Sequence, residues 1–408
     1  MDDQQLPNFR AGFSLKNLPN GRSVAGKVDD QDVILVKSGA NVFAVGAFCT
    51  HYHGSLADGL IVDDTVRCPL HHACFSLRTG EALHAPAFDP IDFWQVDRVG
   101  DTVFVRNRLP QAHTNPNSES TQLQSIVIVG GGAAAFAAAE MLRREGYEER
   151  LTLISADDSP PYDRPNLSKD FLAGTAPADW IPLKPPDFYT AVKIDLLLNA
   201  RVAAINVQEK TVITENGATY PFDSLLLATG AEPVHLSIPG ATQSRVHYLR
   251  SFDDSKTIAE KASSAEGVVV IGASFIGLEV AASLRGRNIE VHVVAPDREP
   301  LERVLGLEVG AFIRKLHESH GVVFHLGRTV DHVRDSDVIL SDGTALDTDF
   351  IVVGAGVRPS LTLASQAGLV VDRGVVVNQY LETSHAGIYA AGDIARWPDP
   401  HFWAGDPG

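Results

Sequence analysis

Over the first hundred residues, apolar positions come in short runs. DVILVKS, NVFAVGAF and DTVFVRN alternate or run apolar, with Gly and Asp between them. That is the pattern of short β-strands joined by tight turns, and it predicts a small all-β domain over residues 1–108. LPQAHTNPNSESTQ follows, polar and rich in Pro, Asn and Ser, so residues 109–123 read as a linker. The texture then changes. SIVIVGGGAAAFAAAEMLRREG is a buried strand, a Gly turn and an Ala-rich helix, and GVVVIGASFIGLEVAASLRGR repeats the design later in the chain. Two such openings imply two dinucleotide-binding folds. The fold class predicted is therefore multidomain, a small all-β domain followed by an α/β pair of dinucleotide-binding domains.

Composition narrows the function classes. The chain has 408 residues, 44% apolar and 21% charged, and a formal net charge of -17. Phosphate binding needs clustered Lys and Arg, so a nucleic-acid partner is excluded. A basic electron-transfer partner would suit the charge, although a solvated acidic surface explains it as well. The acidic, polar start MDDQQLPNFR lacks a secretory pattern, and the most apolar stretches, around 125–142 and 268–284, are interrupted by Gly clusters and an acidic residue. A cytoplasmic location with no membrane partner is expected. The three cysteines, Cys49, Cys68 and Cys74, are too few for a disulfide scaffold, and without a Cys-x-x-Cys the dithiol chemistry of disulfide reductases is excluded.

Two cysteines and two histidines carry the first candidate chemistry. Cys49-Thr-His51 precedes Cys68-Pro-Leu-His71, and each loop offers one thiolate and one imidazole. The set Cys49, His51, Cys68 and His71 suits a binuclear iron centre, with thiolates on one iron and imidazoles on the other; a zinc site is the alternative. His53 and His72 read as solvent-facing neighbours. The pattern resembles the Rieske [2Fe–2S] family over the first hundred residues. High-potential members have a second Cys in each loop and Ser and Tyr donors to the cluster sulfurs. Here Ala73 and Phe75 occupy the donor positions. The resemblance implies a cluster potential near the bottom of the roughly −150 to +300 mV Rieske range, since fewer donors stabilise the reduced state less. Cys74 reads as a small buried residue, with a reactive thiol as the alternative.

Gly130-Gly-Gly132-Ala-Ala-Ala135 follows a strand and opens a helix, so its backbone suits a dinucleotide pyrophosphate. Asp157, with Asp158 second, is placed for the ribose hydroxyls. Pro161-Tyr-Asp-Arg164-Pro-Asn-Leu-Ser-Lys169 then resembles a segment of flavoprotein reductases of the apoptosis-inducing-factor type, a group that includes ferredoxin reductases of aromatic dioxygenase systems. The resemblance implies that Arg164 and Lys169 contact FAD, with Lys169 close to the flavin ring. Ala228-Thr229-Gly230 and the Gly387–Asp393 segment match its later FAD motifs, Asp393 at the ribityl chain, and Val202 joins the same contacting set.

Gly272-Ala-Ser274-Phe-Ile-Gly277 opens the second fold, with Ser274 in place of the middle Gly. By the resemblance, Glu279 reaches the nicotinamide and pairs with Lys169, making these two the catalytic candidates, and Gly356 lies near the nicotinamide. The second strand of this fold ends at Ala295, where an acidic residue would bind the 2′-hydroxyl of NAD, and Arg298 lies close by. NADH is the favoured donor from the resemblance, and NADPH stays open. The domains expected are 124–241 for FAD, 242–356 for NAD(P), and 357–408 for the returning FAD segment. The family's C-terminal domain is expected to be absent, because the chain stops at HFWAGDPG soon after Asp393.

The whole resembles the Rieske-bearing branch of these reductases. That implies an oxidoreductase passing electrons from NAD(P)H through FAD to the cluster, then to an acceptor such as a ferredoxin, an oxygenase component or a cytochrome. Two alternatives stay open: a reductase of an external ferredoxin whose Rieske domain is regulatory, and a redox-sensing interaction protein with negligible turnover.

Overall fold

The computed structural model describes residues 6–111 and 123–398, so most of the expected linker and the final HFWAGDPG lie outside the described residues. The chain divides into two compact units, residues 1–116 and 117–408.

The first unit is all β. Its larger sheet has six antiparallel strands in the order Phe13–Ser14, Thr102–Arg108, Phe93–Val99, Asn41–Gly46, Gln31–Ser38 and Arg22–Val28. The run DVILVKS is continuously apolar because both faces of its strand are covered. Val33 and Leu35 pack with Phe9, Trp94 and Val103. Ile34 and Val36 pack with Val45, Leu56, Val66 and Phe75. A smaller sheet, Leu60–Val62, Thr65–Arg67, Cys74–Ser76 and Ala82–His84, lies on that second side through Val66 and Phe75. Cys49 and Cys68 belong to the same cluster, so the hydrophobic core itself fixes the two candidate metal loops.

The second unit repeats one plan twice. The first parallel sheet has the order Ile194–Leu197, Arg150–Ile154, Ser125–Val129, Ser224–Leu227 and Ile388–Ala390. The second has the order Val322–Leu326, Glu290–Ala295, Gly267–Ile271, Phe350–Val353 and Val246–Tyr248, also parallel. Each sheet has the strand that enters its Gly turn third in this order and carries a three-stranded antiparallel meander, Val202 to Pro221 in the first and Val330 to Asp347 in the second. The outermost strand differs: in the first fold it comes from the far end of the chain, in the second from before the Gly turn. An antiparallel pair, Ala231–Pro233 with Val357–Pro359, joins the two crossings between the folds. An all-β unit followed by a double dinucleotide-binding α/β unit is the fold class the sequence predicts.

Candidate cluster and dinucleotide sites

Each cluster loop is built on one turn used twice. In the first, the His53 amide donates to the Cys49 carbonyl at 3.0 Å and the Cys49 amide donates to the Gly54 carbonyl at 2.9 Å. In the second, His72 donates to Cys68 at 3.0 Å and Cys68 donates to Ala73 at 2.9 Å. His53 and His72 take the same left-handed backbone, φ 50° and 62°, and both are exposed. They shape the turns, and their rings point to solvent as expected. The imidazoles differ in spacing by one residue: His51 is half-buried and His71 exposed. Their ring centroids lie 5.0 Å apart, edge to face, and Tyr52 packs against both.

The two thiols are buried and free. The Cys49 sulfur accepts from the His51 and Tyr52 amides and is hydrogen-bonded to Cys68, and burial pushes the Cys49 thiol up to about 11. A Cβ at Gly54 would lie 2.9 Å from the Cys68 sulfur, so this position must stay bare for the loops to close. Two adjacent buried sulfurs and two touching imidazoles fit a [2Fe–2S] centre, which divides its ligands by type. Among the described residues, no group of three or more His, Cys, Asp or Glu side chains is gathered around one point. Ala73 and Phe75 are fully buried, and their side chains have nothing to donate. Cys74 is buried in the small sheet.

In the first dinucleotide fold, the Ser125–Val129 strand ends at Gly130, whose φ is +127°. A Cβ there would sit 2.1 Å from the Ala228 carbonyl, so only glycine allows this crossing. Gly132 caps the Ala133–Arg144 helix without a side chain, leaving the first amides free for a pyrophosphate. Ala135 is fully buried in the first turn of this helix. A cleft of about 840 Å³ opens over the turn, lined among others by Gly130, Asp157, Arg164, Val202, Thr229 and Arg250. Asp157 is the oriented carboxylate: it accepts from the Tyr162 hydroxyl at 2.6 Å and from the Ser159 amide at 3.3 Å. Asp158 lines the same cleft, and the Ser159 hydroxyl holds its carboxyl below the usual range. Arg164 stacks on Tyr162 and donates to the Arg250 carbonyl at 2.5 Å. Ala228 is buried, and Gly230 has a φ of +68°.

Asp393 reaches the cleft through Arg250, whose guanidinium donates to it at 2.8 Å. Sequence reasoning missed Arg250. It belongs to no motif, and only the return of the chain from the second fold brings it to Asp393.

In the second fold, Gly272 has a φ of +111°, and a Cβ on it would meet the Gly354 carbonyl at 2.5 Å. Ser274, the departure from the Gly fingerprint, caps the Phe275–Gly286 helix. Its hydroxyl donates to the Gly354 carbonyl at 2.7 Å and accepts from the Gly277 amide at 3.4 Å. Gly277 lies so close to the turn that a Cβ would be 2.0 Å from the Gly272 carbonyl. Gly356, φ +106°, is open to solvent space. Ala295 is buried, and Arg298 forks onto Glu302 at 2.6 Å.

The structure brings Lys169 and Glu279 together, the Lys169 ammonium 2.9 Å from one Glu279 oxygen. The Ser168 hydroxyl donates to the other oxygen at 2.6 Å. Ser283, one turn along the same helix from Glu279, donates to the Ser168 and Lys169 carbonyls at 2.7 and 3.2 Å. The segment bearing Lys169 is thereby fastened to the helix bearing Glu279. Ser168 and Ser283 are further residues the sequence reading passed over: a serine beside a charged pair carries no signature of its own.

This arrangement defines an oxidoreductase class with two dinucleotide-binding folds. The chain belongs to the pyridine nucleotide-disulphide oxidoreductase family, whose model matches residues 124–406, and residues 12–98 match the Rieske [2Fe-2S] domain. The cofactors of these two modules are FAD with NAD(P)H and a [2Fe–2S] cluster. The chain is 33% identical to apoptosis-inducing factor 3 of Homo sapiens, over 94% of this chain and 66% of that protein. It thus spans about two thirds of that relative's length. It is 37% identical to putidaredoxin reductase CamA of Pseudomonas putida, covering 67% of each chain. The crystal structure of the covalent putidaredoxin reductase–putidaredoxin complex matches with a TM-score of 0.66 at 36% identity, covering 68% of this chain and 69% of that one. Among the described residues, no helix is long and apolar enough to cross a membrane.

Proposed function

We propose that this chain is an NAD(P)H-dependent flavoenzyme that passes electrons through FAD to its own Rieske cluster and on to an external acceptor. The observation that carries the reading is the Lys169–Glu279 pair, which joins the segment after the first dinucleotide motif to the helix that the second one opens. FAD, when bound, accepts two electrons as hydride and returns them singly.

The residues divide the remaining work. The turn at Gly130 and Gly132 receives the FAD pyrophosphate, and Asp157 takes the ribose hydroxyls. Arg164, Val202, the Ala228–Gly230 segment and Asp393 hold the rest of FAD. Lys169 places a positive charge beside the flavin, where negative charge develops. Glu279 holds Lys169 in place and faces the nicotinamide, whose dinucleotide rests on Gly272, Ser274, Gly277 and Gly356. Residues 124–241 and 357–408 then form the FAD domain and 242–356 the NAD(P) domain. Cys49, His51, Cys68 and His71 ligate the cluster. NADH is the proposed donor: the one basic side chain that the sequence places beside Ala295, Arg298, is forked onto Glu302 rather than turned to receive a 2′-phosphate. Relatives named as reductases of rubredoxin, rhodocoxin and putidaredoxin support a small ferredoxin-type acceptor. The location proposed is the cytoplasm.

An anaerobic titration with NADH, and separately NADPH, followed by visible absorbance and electron paramagnetic resonance, tests this. The flavin bands are expected to bleach and a reduced-cluster signal to rise within turnover time. Bleaching of the flavin with no cluster signal would leave the Rieske domain regulatory, and neither change would end the proposal.

A further inference from the structure

The Glu302–Ser319 helix has one buried residue, Gly310, in its whole length. Its inner face is clear. A Cβ at Gly310 would meet the Pro300 carbonyl at 2.5 Å, Arg314 is held by Glu299, and His317 packs edge-on to Phe324. On the other side, Leu307, Val309, Phe312 and Leu316 follow a backbone break at Gly306, and Val304 and Leu305 precede it. All six are between 41% and 67% exposed. Val309, Phe312 and Leu316 fall at successive spacings of three and four, the seam of a two-helix contact. A soluble chain rarely leaves such a stripe bare unless something covers it.

The flanking charges say what covers it. Glu308 and Lys315 lie seven residues apart, so they occupy equivalent places on one flank of the seam. Among the described residues, no ion pair within the chain engages either. A parallel copy of the helix would carry this flank to opposite edges of the pair, so neither Glu308 nor Lys315 would meet the other across the seam. A copy turned antiparallel about a two-fold axis sets Glu308 of one chain against Lys315 of the other, twice, while Phe312 meets its counterpart at the centre and Val309 faces Leu316 on either side of it. The face is complementary to itself in one orientation only, which is what an isologous contact requires. We propose that this helix is a homodimer interface, two copies of the chain pairing antiparallel along Val309, Phe312 and Leu316 with Glu308–Lys315 bridges at both ends. This goes beyond the electron-transfer reading and does not depend on it.

Sedimentation velocity of the purified full chain across a concentration series tests the idea. The wild type is expected to sediment as a dimer that dissociates on dilution. Glu308→Lys and Lys315→Glu each turn two attractions into two repulsions and should each weaken the dimer about tenfold. Mixing these two variants restores opposite charges at both ends, so a heterodimer of wild-type strength is expected. Phe312→Glu should weaken it about a hundredfold or more, with an unchanged melting temperature as the control. The charge variants sit at exposed positions and keep the test valid should Phe312→Glu fail to fold. A wild type that stays monomeric throughout overturns the proposal. So do single charge variants that dimerise like the wild type, or a mixture no stronger than its components.

Discussion

At the level of single residues, the centre of the second unit is a carboxylate held by two partners. Glu279 accepts from Lys169 on one oxygen and from Ser168 on the other. Glu279→Gln keeps the shape and removes the charge that fixes Lys169, so flavin reduction by NADH, measured by stopped flow, should slow about a hundredfold while FAD stays bound. Tyr162 is buried, donates to Asp157 and accepts from the Phe252 amide at 3.2 Å. Tyr162→Phe leaves that amide and carboxylate short of a partner. It should cost about 1–3 kcal/mol of stability by thermal melting and loosen FAD in gel filtration. In the first unit, Ala73→Ser and Phe75→Tyr supply the missing hydroxyls, and a redox titration should find the cluster midpoint raised by each. Residue chemistry was legible in the sequence wherever a motif encodes a local need. Glycines that must cross a carbonyl, and cysteines paired with histidines at short spacing, announce themselves. Arg250 does not, because its partner Asp393 is distant in sequence and arginine is common on any surface.

Among the secondary-structure elements, the strand–turn–helix units came through with their boundaries nearly intact. SIVIV is the Ser125–Val129 strand, and GVVVI the Gly267–Ile271 strand. They were readable because a strand buried on both faces is continuously apolar and a Gly turn stops it abruptly. The meanders, Val202 to Pro221 and Val330 to Asp347, were not readable. Their strands are short and mixed in polarity, so nothing in their pattern says which sheet they cover. The Ser274 hydroxyl shows a substitution inside a motif gaining a structural task, the tie to Gly354 that a glycine could not make. Gly277→Ala would force the Phe275–Gly286 helix off its turn, since the added carbon meets a backbone carbonyl that cannot yield. The expected outcome is a loss on the order of 3 kcal/mol in the unfolding free energy of the second unit, together with loss of NADH binding by fluorescence titration.

At the scale of the whole molecule, the described residues of the two units build their cores from different stretches of the chain. The hydrophobic clusters of the first unit draw on residues 9–109, and those of the second on residues 127–395. Scanning calorimetry should therefore resolve two unfolding transitions, and removal of iron should lower one and leave the other. The transition of the second unit carries a pH signature. Burial lowers His247, His317 and His325 below the ordinary 6.5, so the folded state favours their neutral forms. Their contribution is complete above pH 6.5 and drains away as the pH falls below it, because the unfolded chain then takes up protons first. That transition should shift downward between pH 6.5 and 5 while staying level between 7 and 8. The order of strands adds a constraint on birth at the ribosome. The second dinucleotide fold is sewn from one uninterrupted stretch, Val246 to Val353, and can close as soon as that stretch emerges. The first waits for Ile388–Ala390, the outer strand beside Ser224–Leu227, and so stands unfinished through most of synthesis. In this chain the earlier-made fold is the later one to mature, and a nascent polypeptide stalled before Ile388 would hold a finished guest inside an open host.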